Sequence, residues 1–324
     1  MITAKSRWLI ILILLGLASI YLSVANGSII IDSYELFRSV MGRGTPFYDE
    51  IIWNIRMPRA LSAFVTGALL SISGAITQVL LKNPLADPYI LGISGGAGVV
   101  SLLLILFGFS GIWLNIGAWA GSLMAILLIF SLIQHKNAWS SEQVLLTGVA
   151  LASGFSAIMS FILVISDDHA THSMLYWLMG DLSDTHLPFY EGIILFIGLM
   201  ISFGFSKELN LLKHGTLYAE SLGVSTKKIY RKLYLLCALL TSTAVGLAGC
   251  IGFVGLIIPH LFRRMISANH RLLLPGAALM GGIFTTLADT LSRILFAPLE
   301  LPVGMTMAFI GIPLFLFLLQ KNRA

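Results

Sequence analysis

The sequence predicts an all-α polytopic membrane protein, and three observations predict it. Hydrophobic residues make up 57% of the 324 residues and charged residues only 11%, against about 25% charge in a typical soluble domain. Uncharged apolar runs of roughly twenty residues, the length a helix needs to cross a bilayer, recur from end to end. Those runs lack the alternation over about ten residues that marks the strands of an outer-membrane barrel. The net charge of +5 is explained by the positive-inside rule and calls for no nucleic-acid partner.

In chain order, span 1 is Trp8 to Val24. The N-terminus has the charge pattern of a signal peptide, but its apolar core is long enough to cross, so it reads as an uncleaved first span. The stretch from Ser28 to Ile55 carries Asp32, Glu35, Arg38, Arg43, Asp49 and Glu50 and is not expected to span. Span 2 is Ala60 to Leu81, halted by Lys82-Asn83-Pro84. Span 3 runs from Ile93 to Phe109, span 4 from Ile112 to Ile133 with His135-Lys136 after it, and span 5 from Val144 to Ile165. Between Asp167 and Pro188 the chain is polar, except for a short amphipathic piece from Met174 to Met179. Span 6 is Phe189 to Phe205.

The apolar run from Leu233 to Phe262 would form a helix about 45 Å long, too long for one comfortable pass. Gly246, Gly249, Gly252 and Gly255 lie in its middle and basic residues flank both ends, so it reads as two passes, spans 7 and 8, the second short and shielded. Span 9 is Leu272 to Phe296 and span 10 is Val303 to Leu319. Ten spans in one domain over residues 1–324 put both termini in the cytoplasm. Charge agrees: of the 20 Lys and Arg, all but Arg38, Arg43, Arg56, Arg59 and Arg293 then fall on the cytoplasmic side.

The chain is organised around Lys207 to Lys232, a long charged interval between apolar runs in the second half. Within it Thr216 to Gly223 reads as a short helix, capped by Thr216 and ended by Gly223, and a second helix starts at Ser225-Thr226. Such a surface helix pair is either a handle for a soluble partner or a solvated loop that fixes topology.

Few residues suggest chemistry. There is no GxxxxGK(S/T) phosphate loop and no HExxH zinc motif. The GxSxG match at Gly92-Ile93-Ser94-Gly95-Gly96 opens a span, which is the wrong setting for a nucleophile elbow. Cys237 and Cys250 have neither metal nor redox spacing and read as small core residues. His169, His172 and His186, with Asp167 and Asp168, are either outer-face metal ligands or a solvated loop. Asp289 is the clearest ionisable residue within a span, one helical turn from Arg293, and suits a structural pair better than a proton relay. Arg56, Arg59 and Arg293 stand at the outer boundary, suited either to docking an acidic partner or to local pairing with Asp49, Glu50 or Glu300. The turn KNPLADPYILGISGGAG, with Asn83, Pro84, Ser94, Gly95 and Gly96, is either a tight static fold or a moving gate lining a pathway.

Several strings together are specific: RMPRALSAFVTGALLSISGAITQ, NPLADPYILGISGGAG, LLTGVAL, WLMGDLS, LNLLKHGTLYAESLGV, GFVGLIIPHLFRRM, HRLLLPGAALMGG, LADTLSR and LELPVGMTMAFIGIPLFLFLL. In order and content they resemble the permease subunits of type II ABC importers for iron chelates, haem and cobalamin, over Arg56 to Leu319. The resemblance implies ten spans per subunit in the bacterial inner membrane and a homodimer with the pathway on its two-fold axis. It implies two cytoplasmic ATPase subunits below, which would carry ATP and Mg while this chain binds no cofactor, and a substrate-binding protein above. It implies that residues about 213–228, with His214, Thr216, Leu217, Ala219, Glu220, Ser221, Leu222 and Gly223, are the coupling helices seated on the ATPases. It implies that Arg56, Arg59 and Arg293 face acidic residues of the binding protein, and that Thr171 to Gly180 is a short helix near the outer mouth. The loop departs from the more acidic, less aromatic string of many relatives at His214 and Tyr218.

The expected function is inward transport of an iron chelate, haem or cobalamin by alternating access. An ion-coupled carrier or metal-ion channel using Asp289 and the outer histidines is the alternative, and a non-transporting scaffold or receptor a third reading. Only the first requires a separate P-loop protein.

Overall fold

In a computed structural model of the chain, residues 4–27, 29–133, 141–183 and 185–320 are described, and all regular structure among them is helical. His135, Lys136, Asp184, Lys321 and Arg323, which entered the charge and boundary arguments, lie outside the described residues.

Helix α1 (Ala4–Ala25) is followed by two short helices, α2 (Ser33–Val40) and α3 (Pro46–Glu50). From α3 the chain runs through a π-helical stretch (Ile51–Arg56) into α4 (Met57–Leu80), giving one apolar helix over Pro46–Leu80. This corrects the expectation of a start at Ala60. Pro58 lacks the N–H that an α-helix would use at that point, and π-helical bonds, reaching one residue further, bypass the missing donor.

After α4, a 3₁₀ turn (Pro88–Leu91) leads through left-handed Gly92 into α5 (Ile93–Leu106). Then come α6 (Ile112–Ile133), α7 (Ser141–Ile165), α8 (Asp168–Met179), α9 (Phe189–Gly204), α10 (Ser206–Leu212) and α11 (Thr216–Ser221). The chain closes with α12 (Thr226–Ala248), α13 (Val254–Met265), α14 (His270–Ile294) and α15 (Val303–Gln320). Among the described residues six helices are long and apolar enough to cross a membrane, or seven if α9 and α10, bent by 58°, count as one span. Helices α5 and α15 are apolar but shorter.

Helix α4 is the axis of the bundle. Nearly every residue from Pro58 to Leu80 is buried, and α14, α12, α13 and α1 pack around it. Its Gly, Ala, Ser and Thr residues allow that approach from several sides. At Gly67 an added Cβ would lie 2.2 Å from the Gly281 carbonyl oxygen of α14, and at Gly74 it would lie 1.9 Å from the Gly255 oxygen of α13. The opposite class of surface is carried by α1, α6, α7 and α9, where Leu17, Leu127, Phe161, Val164 and Phe196 are exposed as in a lipid-facing layer.

The run read as spans 7 and 8 does break in the middle. Helix α12 ends at Gly249, whose φ of +66° and ψ of −155° suit only glycine. Helix α13 then contains Pro259, which leaves the carbonyl of Gly255 without its helical donor. The side chain of Gln78 on α4 fills that vacancy: its Nε2 donates to the carbonyls of Gly255 (3.3 Å) and Leu256 (3.0 Å), while its Oε1 accepts from Arg263 at 2.8 Å. Irregular backbone inside an apolar bundle needs such partners.

Candidate functional site: a surface helix pair and a buried arginine cluster

The two groups singled out by sequence sit at opposite ends of α4, about 30 Å apart at 1.5 Å per residue. At the C-terminal end, α10 turns away from α9 and α11 lies beside the start of α12. Gly215, at φ +116°, caps α11 in place of Thr216, which becomes the first helical residue. The Thr216 hydroxyl instead accepts from Lys82 Nζ at 3.3 Å. Gly223 ends the helix at φ +81°. Ala219 is fully buried, whereas Leu217, Tyr218 and Leu222 are 82%, 50% and 55% exposed. His214 and Tyr218 meet edge to face at 5.8 Å, so the two residues that depart from the usual string form one aromatic pair.

This surface pair is wired to two long helices. The Thr226 hydroxyl at the start of α12 donates to Glu220 Oε1 at 2.5 Å. Asn210 on α10 accepts from the His270 N–H at 3.0 Å and donates to Asn269 at 2.9 Å, and both partners belong to the N-terminus of α14. Ser221 bonds within its own turn, donating to the carbonyl of Tyr218 at 2.8 Å.

At the other end, Arg56, Arg59 and Arg293 converge, but on the chain's own groups. Arg59 Nε donates to Asp289 Oδ1 at 3.0 Å, and its Nη1 donates to Glu300 Oε2 at 2.5 Å. Arg293 Nε donates to Asp289 Oδ2 at 3.2 Å, the pair suggested by their spacing on the helix. Its other nitrogens reach the carbonyls of Asn26 and Ser23, both at 3.1 Å. Arg56 donates to Val24 at 2.8 Å, to Ala25 at 3.2 Å and to the carbonyl of Ile29.

The last carbonyls of α1 have no intrahelical donor and sit at the negative end of the helix dipole. Arg56 and Arg293 therefore cap α1 from outside. Sequence reasoning missed this role. The available signal was that α1 has no basic residue in its last turn. The cluster lines a cavity of about 230 Å³ with Gly27, Ile29 and Glu300, the last with a side chain 46% exposed.

The turn between α4 and α5 places Asn83 and Pro84 on the surface, with Asn83 Oδ1 accepting from the Leu85 N–H at 2.9 Å. Ser94 and Gly95 are half-buried in the first turn of α5, Gly95 under Phe155. Gly96 packs on α6, where a Cβ would come 2.4 Å from the Gly121 carbonyl. Asp87, outside the crossing helices, caps the 3₁₀ turn by accepting from the Tyr89 N–H at 2.8 Å. Burial pushes its carboxyl up to about 6 from an ordinary 3.8, against the opposing pull of that hydrogen bond. The folded state thus holds the proton over a window where the unfolded chain has lost it. The associated stability is present below about pH 4 and is lost as pH rises through about 6. Asp87→Asn keeps the cap and should remove this slope. Its melting temperature in detergent should match the wild type near pH 4 and exceed it at pH 7.

Among the described residues no group of three or more His, Cys, Asp or Glu is gathered as for a metal ion. His172 stacks on Tyr176 at 4.7 Å, and His186 lies 3.5 Å from Glu191.

Apolar helices wrapped around a buried axis, with the dense ionic cluster at one end and an exposed helix pair at the other, define a multi-pass helical membrane protein. Residues 11–321 match the FecCD transport family, and the chain belongs to that family of transport permeases. It is 38% identical to the hemin transport system permease protein HmuU of Yersinia pestis, over 97% of this chain and 94% of the relative. It is 34% identical to the vitamin B12 import system permease protein BtuC of Vibrio cholerae, over 98% and 95%. A solved inward-facing metal-chelate type ABC transporter superposes with a TM-score of 0.86 at 31% identity, covering 98% of this chain and 100% of that one. The chain is thus an ABC importer permease of the FecCD family.

Proposed function

We propose that this chain is the membrane subunit of an ATP-driven importer that moves an iron chelate, haem or cobalamin into the cytoplasm. Two copies would enclose the pathway, each with ten crossings: the six long helices, the bent α9–α10 pair, the shorter α5 and α15, and α13 inside the bundle. Two soluble ATPase subunits, carrying ATP and Mg, would seat on α11 and its flanks. The observation that carries this reading is the exposure of Leu217, Tyr218 and Leu222 on a short helix whose other face is fixed by buried Ala219. Apolar side chains held out on a polar surface segment suit a protein partner.

Nucleotide closure would push α11, and the Glu220–Thr226 and Asn210–His270 bonds would pass the shift to α12 and α14. On the opposite end, an acidic binding protein would dock over Arg56, Arg59 and Arg293, its carboxylate taking the place of half-exposed Glu300. The pathway and gate role of Asn83, Pro84, Ser94, Gly95 and Gly96 belongs to the same proposal, with the Gly96–Gly121 contact as the part that would slide. The ion-coupled alternative is poorly served by Asp289, whose two oxygens are held by Arg59 and Arg293.

The test is uptake by proteoliposomes containing this chain, its ATPase and its binding protein. Burying one leucine is worth about 1.5–3 kcal/mol, so Leu217→Asp should weaken ATPase association roughly ten- to hundredfold. Glu220→Arg and Gly223→Pro should uncouple hydrolysis from uptake while leaving the chain folded. Normal coupled uptake in all three variants, or accumulation against a gradient without any ATPase, would overturn the proposal.

A further inference from the structure

A cavity of about 650 Å³ opens between α6 and α9, at the same end of the bundle as the arginine cluster. That placement is fixed by Ser62, one turn from Arg59, whose hydroxyl donates to the His186 carbonyl at 3.2 Å. The cavity lies within the usual size range of small-molecule sites. Ile112, Ile116 and Ile193 make its walls apolar, and no Lys or Arg is found among its described lining residues.

Glu191, in the first turn of α9, lines the cavity while only 2% exposed. Its Oε1 lies 3.5 Å from His186 Nε2, which is too long for a sound hydrogen bond. Its Oε2 is buried with no hydrogen-bond partner among the described residues. Beyond the His186 imidazole at 3.5 Å, this carboxyl group has an unfilled acceptor turned to the cavity lining, which suits a cation that also donates hydrogen bonds. Trp119, held by an Nε1 bond to Thr243 Oγ1 at 3.1 Å, lines the same cavity and adds an aromatic surface suited to a cation.

An acidic lining without Lys or Arg disfavours a free anion, and with only His186, Glu191 and the unpartnered Asn115 Oδ1 it falls short of three His, Cys, Asp or Glu ligands for a metal ion among the described residues. Ile112, Ile116, Tyr190 and Ile193 are 48%, 43%, 61% and 44% exposed, so the cavity mouth lies in the apolar outer layer of α6 and α9. We infer that this cavity binds a primary ammonium group carried on an apolar body, with Glu191 as its counter-ion. Phosphatidylethanolamine carries such an ammonium two carbons from its phosphate, which would stay outside the cavity in the headgroup layer, and a soluble alkylammonium carries it directly on an apolar chain.

Native mass spectrometry of the full chain in detergent tests the site, with phosphatidylethanolamine, phosphatidylcholine and phosphatidylglycerol added in turn and decylamine as the soluble probe. Phosphatidylethanolamine should be retained at least fivefold better than the other two lipids, and Glu191→Gln should abolish that preference. Glu191-dependent retention of decylamine without phosphatidylethanolamine would support the same site and assign it to a soluble amine. Ile116→Trp, which fills the cavity from an exposed position, should also abolish retention and carries the test if Glu191→Gln does not fold. Equal retention of the three lipids with no decylamine bound, or a preference unchanged in either variant, would overturn the inference.

Discussion

Asp289→Leu is expected to destabilise the fold by about 3–5 kcal/mol, the range for removing one partner of a buried ion pair. Asp289 is fully buried, and its oxygens receive Arg59 Nε and Arg293 Nε at 3.0 and 3.2 Å. Without it Arg59 keeps Glu300, but Arg293 keeps only neutral acceptors of the α1 terminus. The loss should therefore appear first as a loosening of α1, read by hydrogen exchange at residues 20–27, and then as a lower midpoint of unfolding in mixed micelles. Asp289→Asn, which retains an acceptor without the charge, should fall between wild type and leucine. Asp289→Leu/Arg293→Met should lose less than the sum of its singles, because the second change removes the charge that the first leaves stranded. A double variant that loses the full sum or more would mean that Arg293 does not depend on Asp289 for its counter-charge.

This cluster also marks where sequence reading stops. The helical class, the break near Gly249 and the surface helix before Gly223 were legible, because each depends on residues within a few positions of one another. Apolar length and glycine at positive φ are local facts. The short helix that the resemblance implied from Thr171 to Gly180 begins earlier, at Asp168, because Asp167 caps it by accepting from the Ala170 N–H at 2.7 Å. Apart from the Asp289–Arg293 pair, one helical turn apart, the partners of Arg59 and Arg293 are not local: Asp289 is 230 residues from Arg59, and Ser23 is 270 residues from Arg293. Three arginines at one boundary suggest an external acidic partner equally well, and only the packing of α1 against α14 shows that chain carbonyls occupy them first. The early start at Pro46 was hidden for a related reason. Charged Asp49 and Glu50 and the proline at 58 argue locally against a helix that the π-helical stretch nevertheless carries through.

Gly74→Val should be at least as damaging as the loss of Asp289, through backbone and not charge. A Cβ at Gly74 would stand 1.9 Å from the carbonyl oxygen of Gly255 and 2.6 Å from its Cα. No rotamer relieves a clash with main chain, so α13 would have to move away from α4. That movement would pull Gly255 and Leu256 off the Gln78 side chain and leave the carbonyl stranded by Pro259 without a donor. Overpacking in a filled core typically costs about 1–3 kcal/mol when side chains can give, and an orphaned buried carbonyl adds about 1–3 kcal/mol. Gly74→Ala should already reach the upper part of the first range, and Gly74→Val should prevent recovery of folded protein from the membrane. Gly154→Ala is the control: nothing lies within 4 Å of its Cβ position on α7, so the higher helix propensity of alanine should add up to about 1 kcal/mol. Equal stability of the Gly74 and Gly154 alanine variants would show that α4 and α13 are not held at the separation on which the bundle's axis depends.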